Sequence, residues 1–257
     1  MSIKLIASDI DGTLLQSEGA VIDEEVFAQI KRLKKKGILF VAASGRQYNS
    51  LKNLFAPVAD DILFLCENGG IIYKDGKVLT KLPMPYEPTI KLIRQIMDTP
   101  DCEVLISGAN TSYVLPKGYD FVDRIKNVNK NNVTVVETLE DIPEDILKVA
   151  SFCRRGSAAY DKPMGDPWRD TFNVALAGME WLDFTTANKG SGMQALIDAL
   201  GIEADEVMAF GDNFNDLSML ELVGHPYIIQ DCALDRMGYR NEKFLHTKTV
   251  QDVLKTI

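Results

Sequence analysis

The chain has 257 residues, 46% hydrophobic and 25% charged, which is typical of a globular protein with one large domain or two smaller ones. Its 28 basic and 37 acidic residues give a net charge of −9, which argues against nucleic acid or an anionic membrane surface as a partner. The chain begins without a signal-peptide pattern, no apolar run approaches the roughly 20 residues of a membrane span, and the four cysteines have no CxxC spacing, so we expect a cytoplasmic protein with free thiols.

The N-terminal part of the chain alternates apolar runs with amphipathic segments. The apolar runs are short and continuous, as in strands of a parallel sheet that is covered on both faces. Alternation of this kind predicts right-handed βαβ units and an open α/β sheet. Strands are predicted at 3–8, 38–44 and 62–66, with helices after Asp23 and at 47–55.

The pattern changes after Gly69. Two β-like runs surround an Asp75-Gly76 turn, which predicts a hairpin. Residues 83–183 then mix helical and strand patterns, which indicates an inserted α+β domain. The α/β pattern returns with a helix at 189–200, a strand at 207–211 and a helix from Asn213, so the core domain is predicted to comprise 1–82 and 184–257.

Polar groups follow the predicted strands, at the end where ligands of open α/β sheets bind. Asp9 and Asp11 come at the end of the first strand, and Ser44 and Gly45 follow the second. The segment 211–216, "GDNFND", follows the strand at 207–211 and supplies Asp212, Asn215 and Asp216. We expect these groups to meet in one crevice, where Asp9, Asp212 and Asp216 would hold Mg²⁺, a cation that takes oxygen ligands.

Other interpretations of the first two aspartates are weaker. Asp-Gly alone is a common turn sequence. A calcium loop counted from Asp9 would need an acidic residue and a glycine where Thr13 and Leu14 stand. A Walker loop needs a GxxxxGK[ST] run, which the chain lacks.

A lysine completes the predicted site. Lys189, in "NKG", opens a helix, where free backbone N–H groups already favour an anion. Ser44 and the Gly45 N–H would donate to the same anion. Carboxylates, Mg²⁺, a lysine and a hydroxyl together predict phosphoryl transfer, without distinguishing the nucleophile from the acid.

The segments "DIDGTLL", "SGR", "NKG" and "GDNFND" resemble the four ordered motifs of the haloacid dehalogenase (HAD) superfamily. The "ENGG" after the third strand and the long insertion between "SGR" and "NKG" resemble the Cof-like phosphatases with a type-IIB α/β cap. The resemblance covers nearly the whole chain. It implies a Rossmann-like HAD core with a parallel sheet, plus an inserted α+β cap domain.

The same resemblance assigns roles to the candidate residues. It implies that Asp9 is the nucleophile that forms an aspartyl-phosphate, and that Asp11 is the general acid and base. Mg²⁺ would bind the Asp9 carboxylate, the Asp11 backbone carbonyl and Asp212. The other implied roles are phosphoryl binding by Ser44 and Lys189, orientation of the metal's water shell by Asp216, and phosphate contact by Asn215.

The favoured function is therefore a Mg²⁺-dependent phosphatase of small phosphorylated metabolites, sugar phosphates above all. A phosphomutase of the same superfamily and a non-catalytic sugar-phosphate binding protein are the alternatives. Lys189 and the carboxylates of 211–216 disfavour dehalogenation. Three side interpretations stay open: Arg46 pairs with a carboxylate or contacts substrate, Asn68 forms a turn or contacts substrate, and the basic residues of 154–169 bind an anion or are simply solvated.

Overall fold

The structure is a computed structural model, and it describes residues 2–17, 21–127 and 132–257. The strands of this described part are β1 (Leu5–Asp9), β2 (Leu39–Ala43), β3 (Leu63–Cys66), β4 (Ile71–Lys74), β5 (Lys77–Lys81), β6 (Cys102–Ser107), β7 (Ser112–Val114), β8 (Val133–Val135), β9 (Lys148–Cys153), β10 (Asn173–Leu176), β11 (Trp181–Thr185), β12 (Val207–Gly211), β13 (His225–Ile229) and β14 (Leu245–Thr247). The helices are α1 (Glu24–Lys35), α2 (Tyr48–Leu54), α3 (Tyr86–Asp98), α4 (Tyr119–Asn127), α5 (Lys189–Leu200), α6 (Leu217–Leu222), α7 (Ala233–Arg236) and α8 (Val250–Leu254).

The chain divides into two compact units. The core unit comprises Met1–Lys81 and Asn188–Ile257, and the inserted unit comprises Leu82–Ala187. The second limit differs from the position 183 read from the sequence, because β11 continues to pair with β10 as far as Thr185. Among the described residues, no helix has the length and apolar character needed to cross a bilayer.

In the core unit, the described strands form an eight-stranded sheet in the order β14-β13-β12-β1-β2-β3-β4-β5. Neighbours from β14 to β3 are parallel, and β4 and β5 add antiparallel as the predicted hairpin. All five residues of β1 are buried, the pattern of a parallel strand covered on both faces. Helix α1 buries Val26, Ile30 and Leu33 at helical spacing, and the Asp23 carboxylate caps it by accepting the Glu25 N–H.

In the inserted unit, the described strands form a six-stranded sheet in the order β10-β11-β9-β6-β7-β8. Side chains alternate along β6: Cys102, Val104 and Ile106 belong to a cluster with residues of α3, whereas Leu105 belongs to a second cluster with residues of α4. Two helices on a mainly antiparallel sheet make an α+β unit. The predicted fold class, an α/β core with a parallel sheet and an inserted α+β domain, is confirmed.

Candidate active site

Three neighbouring strands of the core sheet carry candidate residues at their carboxyl ends. The order β12-β1-β2 places Asp212, Asp9 and Ser44 side by side, since each lies at or directly after the end of its strand. Ligands of open α/β sheets bind at this edge. Residues far apart in the sequence therefore share one edge of the core unit.

The centre of the site is a buried cluster of carboxylates around one lysine. Lys189 Nζ donates to Asp9 Oδ1 and to Asp216 Oδ1, each at 2.5 Å, and its side chain is fully buried. Carboxylate oxygens of Asp9, Asp212 and Asp216 lie within 4.8 Å of one another. One ammonium group therefore faces three carboxylates, so the buried cluster has an excess of negative charge.

The pKa values reflect this excess. Burial raises the pKa of Asp9 to about 8, and the charge of Asp216 adds to the effect while Lys189 opposes it. Burial also raises the pKa of Asp212, although the hydrogen bond from Thr13 lowers it in part. Burial disfavours charge on Lys189, but Asp216 and Asp9 outweigh it, so the pKa of Lys189 lies above its usual value. The two carboxylates thus favour the charged form of Lys189.

Helix α5 places the lysine. The Asn188 side chain accepts the Ser191 N–H at 2.8 Å, and Ser191 Oγ accepts the Asn188 N–H at 2.9 Å, which fixes the first turn. Gly192 faces Gly69 so closely that a Cβ at Gly192 would lie 2.5 Å from the Gly69 Cα. The small residues around Lys189 therefore let α5 approach the loop after β3, and the lysine side chain reaches the cluster.

Asp216 holds the turn after β12 in place, and Thr13 holds the Asp212 carboxylate. Asp216 Oδ2 accepts the N–H groups of Asp212 and Asn213, at 3.0 and 3.1 Å, which closes the turn after β12. Thr13 Oγ1 donates to Asp212 Oδ1 at 2.7 Å and is buried. Sequence reasoning missed Thr13, although its place next to the Asp11-Gly12 pair was a usable signal.

Asp11 lies apart from the buried cluster. Its carboxylate is exposed by 53% and accepts two hydrogen bonds from the Arg46 guanidinium, at 2.6 and 2.8 Å. Of the two roles weighed for Arg46, the structure therefore has the carboxylate pairing. A bidentate pair of this kind fixes the direction of the carboxylate.

The remaining candidates lie around Asn68. Ser44 is buried, and its Oγ accepts the Arg46 N–H at 3.2 Å. A Cβ on Gly45 would lie 3.1 Å from Asn68 Nδ2, and Asn215 Nδ2 donates to Asn68 Oδ1 at 3.4 Å. Asn68 itself has a φ of 53°, so it does form the turn, and its side chain also connects two of the motif loops.

The arginines of the basic segment 154–169 pair with carboxylates. Arg154 pairs with Glu103 and Asp120, and Arg155 pairs with Asp101. Arg169 pairs with Asp161 and Asp166 in the same way. These pairings favour the interpretation as a solvated charge cluster over that of an anion site.

The residues of the buried cluster fit a divalent cation. Asp9 Oδ2 is buried and has no hydrogen-bond partner among the described residues, an arrangement that is costly unless a ligand satisfies the oxygen. With all three carboxylates ionised, the cluster has two negative charges in excess of Lys189, which match the charge of Mg²⁺, and all the available donors are oxygens, which Mg²⁺ prefers. Asp9 and Asp212 have carboxylate oxygens available to bind a cation, whereas both Asp216 oxygens already accept hydrogen bonds.

A model of the haloacid dehalogenase-like hydrolases matches residues 6–233. The chain belongs to this family. The match spans all four motifs, from "DIDGTLL" to "GDNFND", so the resemblance read from the sequence is confirmed. The residues of the buried cluster and of the Asp11–Arg46 pair all lie within the matched range.

Similar proteins of this family include phosphatases. The chain is 28% identical over 236 residues to the 5-amino-6-(5-phospho-D-ribitylamino)uracil phosphatase of Escherichia coli K12, covering 91% of this chain and 87% of that protein. A crystal structure from Eubacterium rectale is 29% identical with a TM-score of 0.87, covering 99% and 98% of the two chains. The HAD subclass IIB sugar phosphatase BT4131 shares the fold, with a TM-score of 0.77 at 20% identity and 98% coverage of both chains.

Proposed function

We propose that this HAD-like hydrolase is a Mg²⁺-dependent phosphatase that hydrolyses small phosphorylated metabolites, with sugar phosphates as the substrate class. The observation that carries the proposal is the buried cluster, in which one lysine faces three carboxylates at the carboxyl ends of adjacent strands. An excess of buried negative charge disfavours an anionic substrate unless a cation is present. The named activity of the Escherichia coli relative supports the phosphate-ester class.

Asp9 would hold Mg²⁺ with Asp212 and the Asp11 carbonyl, while Asp216 would position the turn and orient the water shell. Bound there, Mg²⁺ would neutralise the excess charge and polarise a phosphoryl oxygen. Thr13 and Asp216 keep the Asp212 side chain and backbone in place before the metal arrives. That arrangement is preorganised, so little reorganisation is needed on binding.

In the first step, an Asp9 carboxylate oxygen attacks the phosphorus atom, and the bond from phosphorus to the leaving oxygen breaks. Protonated Asp11 gives its proton to that oxygen, and an alcohol leaves. In the second step Asp11 takes a proton from water, whose oxygen attacks phosphorus and releases inorganic phosphate and the Asp9 carboxylate. Lys189, Ser44, the Gly45 N–H and Asn215 would bind the phosphoryl oxygens throughout.

Arg46 positions the ionised Asp11 carboxylate, the form that takes a proton from water in the second step. Two hydrogen bonds fix the carboxylate, and the Arg46 backbone is anchored by Ser44 Oγ and by the Glu67 N–H. The positions of Asp11 and of the phosphoryl-binding Ser44 would therefore be fixed relative to each other.

The test is phosphate release from a panel of esters, with Mg²⁺ and with a chelator. Sugar phosphates, the ribitylaminouracil phosphate and an aryl phosphate form the panel. We expect release that the chelator abolishes, and Asp9→Asn should lower it by several orders of magnitude, because the uncatalysed reaction is extremely slow. Asp123→Asn, an exposed aspartate on α4, is the matched control and should leave release unchanged.

The same panel separates the alternatives. Asp11→Asn should slow esters with poor leaving groups far more than the aryl phosphate, whose leaving group needs little protonation. Transfer of phosphate between sugars without net release would identify a phosphomutase. Tight binding of sugar phosphates without any release of phosphate, with Mg²⁺ or with the chelator, would identify a binding protein.

A further inference from the structure

Two cysteines of the inserted unit face each other on its two most central strands. Cys102 is the first residue of β6 and Cys153 the last residue of β9, and they are direct partners in the antiparallel register. Directly opposed residues project to the same side of a sheet. Both thiols lie in the buried cluster that includes residues of α3, and neither is in a disulfide.

The backbone hydrogen bonds identify the type of pair. The Cys153 N–H donates to the Glu180 carbonyl, on the side of β11, and the Cys102 N–H donates to the Thr99 carbonyl. The next pair along is hydrogen-bonded, since the Arg154 N–H donates to the Asp101 carbonyl at 2.9 Å. Hydrogen-bonded and non-hydrogen-bonded pairs alternate, so the two cysteines form a non-hydrogen-bonded pair.

Pairs of this type have the spacing that a disulfide needs. Their Cα atoms are about 4.5 Å apart and their side chains are closer than in hydrogen-bonded pairs. A disulfide requires a Cα separation of about 4.4–6.8 Å. We propose that Cys102 and Cys153 are an oxidisable pair that closes to a cross-strand disulfide when the protein meets a peroxide, and reopens with a thiol.

The two thiols are not equivalent, which suits a two-step oxidation. A hydrogen bond from Cys153 lowers the pKa of Cys102 to about 7, against burial. The same hydrogen bond, together with burial, raises the pKa of Cys153, whose sulfur also contacts Ser151 Oγ at 3.5 Å. This direction favours Cys102 as the thiol that ionises first, and the thiolate is the form that attacks oxidants.

The reaction balances with one peroxide. The Cys102 thiolate, its proton already given to solvent, attacks one oxygen of hydrogen peroxide. The S–O bond forms, the O–O bond breaks, and hydroxide leaves and takes up a proton. Cys153 sulfur then attacks the Cys102 sulfenic acid, the S–S bond forms, and hydroxide leaves with the Cys153 proton as water. Two thiols and one peroxide give one disulfide and two waters.

The other two cysteines are internal controls. Cys66 ends β3 and Cys232 follows β13, and three strands of the core sheet separate β3 from β13. Both are buried and free, and burial raises both pKa values. Both cysteines receive the same oxidant treatment as the proposed pair, but they cannot reach each other in the folded protein.

The experiment treats the purified full chain with a small excess of hydrogen peroxide, then alkylates the remaining thiols and maps the peptides by mass spectrometry. We expect a mass loss of about 2 Da in one linked peptide pair that contains Cys102 and Cys153, restored by dithiothreitol. In Cys153→Ser the sulfenic acid of Cys102 has no partner thiol. Dimedone should therefore label Cys102 at least about tenfold faster than it labels Cys66 or Cys232. Cys232→Ser should keep the cross-link.

Two results would overturn the proposal. One is a wild-type chain whose four thiols all remain alkylatable after peroxide treatment, or whose oxidation falls on Cys66 or Cys232 instead. The other is a cross-link that persists in Cys102→Ser. If a serine variant fails to fold, the wild-type peptide map alone tests the disulfide. None of these measurements depends on the phosphatase activity.

Discussion

At the scale of single residues, Lys189 is the side chain on which the site depends. It is fully buried, and its two carboxylate partners are themselves almost fully buried. Removing one partner of a buried ion pair leaves an uncompensated charge, which costs far more than the pair itself contributes. The lysine is therefore needed for stability as well as for the proposed phosphoryl binding.

Lys189→Met should lower the free energy of unfolding by about 3–5 kcal/mol without Mg²⁺, measured by urea denaturation, because Asp9 and Asp216 lose their cation. Adding Asp9→Asn to this variant should recover part of the loss, since one uncompensated carboxylate is removed. Lys34→Met, which breaks an exposed pair with Asp61, is the control and should change stability little. A Lys189→Met variant as stable as the wild type would refute the charge compensation.

At the scale of elements, the first turn of α5 connects stability with chemistry. Asn188 caps the helix, and the next residue is Lys189. Helix α1 has a comparable cap in Asp23, which accepts the Glu25 N–H at 2.8 Å but belongs to no motif. The two caps allow the cost of a lost cap to be separated from the loss of a positioned lysine.

Asn188→Ala and Asp23→Ala should each destabilise the protein by about 1 kcal/mol, the usual cost of a lost N-cap. Phosphate release should fall in Asn188→Ala and stay at the wild-type level in Asp23→Ala, because only the first cap directs Lys189. The measurements are thermal unfolding and steady-state kinetics at a temperature where both variants are folded. Equal activities in the two variants would show that the cap does not direct the lysine.

At the scale of the whole molecule, every residue of the proposed metal site belongs to the core unit. Asp9, Asp212 and Asp216 lie in it, whereas the inserted unit has its own sheet and its own hydrophobic clusters. A ligand that binds only the folded state stabilises the elements that form its site. Metal binding should therefore act on one unit more than on the other.

Hydrogen exchange measured with and without Mg²⁺ checks this. Amides of β1, β12 and the start of α5 should exchange more slowly with Mg²⁺, while those of β6 and β9 should change little. Asp212→Asn should abolish the difference, because it removes a proposed ligand. Ca²⁺ at the same concentration tests the preference for the smaller ion. Equal protection of both units, or none in either, would contradict a metal site confined to the core unit.

Local patterns were enough to predict most of the secondary structure and the motifs. The helix Lys189–Leu200 and the strand Val207–Gly211 were predicted with the limits that the structure has, because periodicity, caps and turn residues are local properties. The limit at 183 was less well placed, since the end of β11 depends on its pairing with β10.

By itself, the sequence determined the fold class, the family and the polar groups that follow each strand, because motif order and hydrophobic pattern are properties of the chain. The tertiary structure alone decided which groups touch. Lys189 and Asp9 are 180 residues apart, Thr13 and Asp212 are 199 apart, and Arg46 and Asp11 are 35 apart. Such contacts depend on the order of strands in the sheet and on side-chain packing, which no local pattern contains.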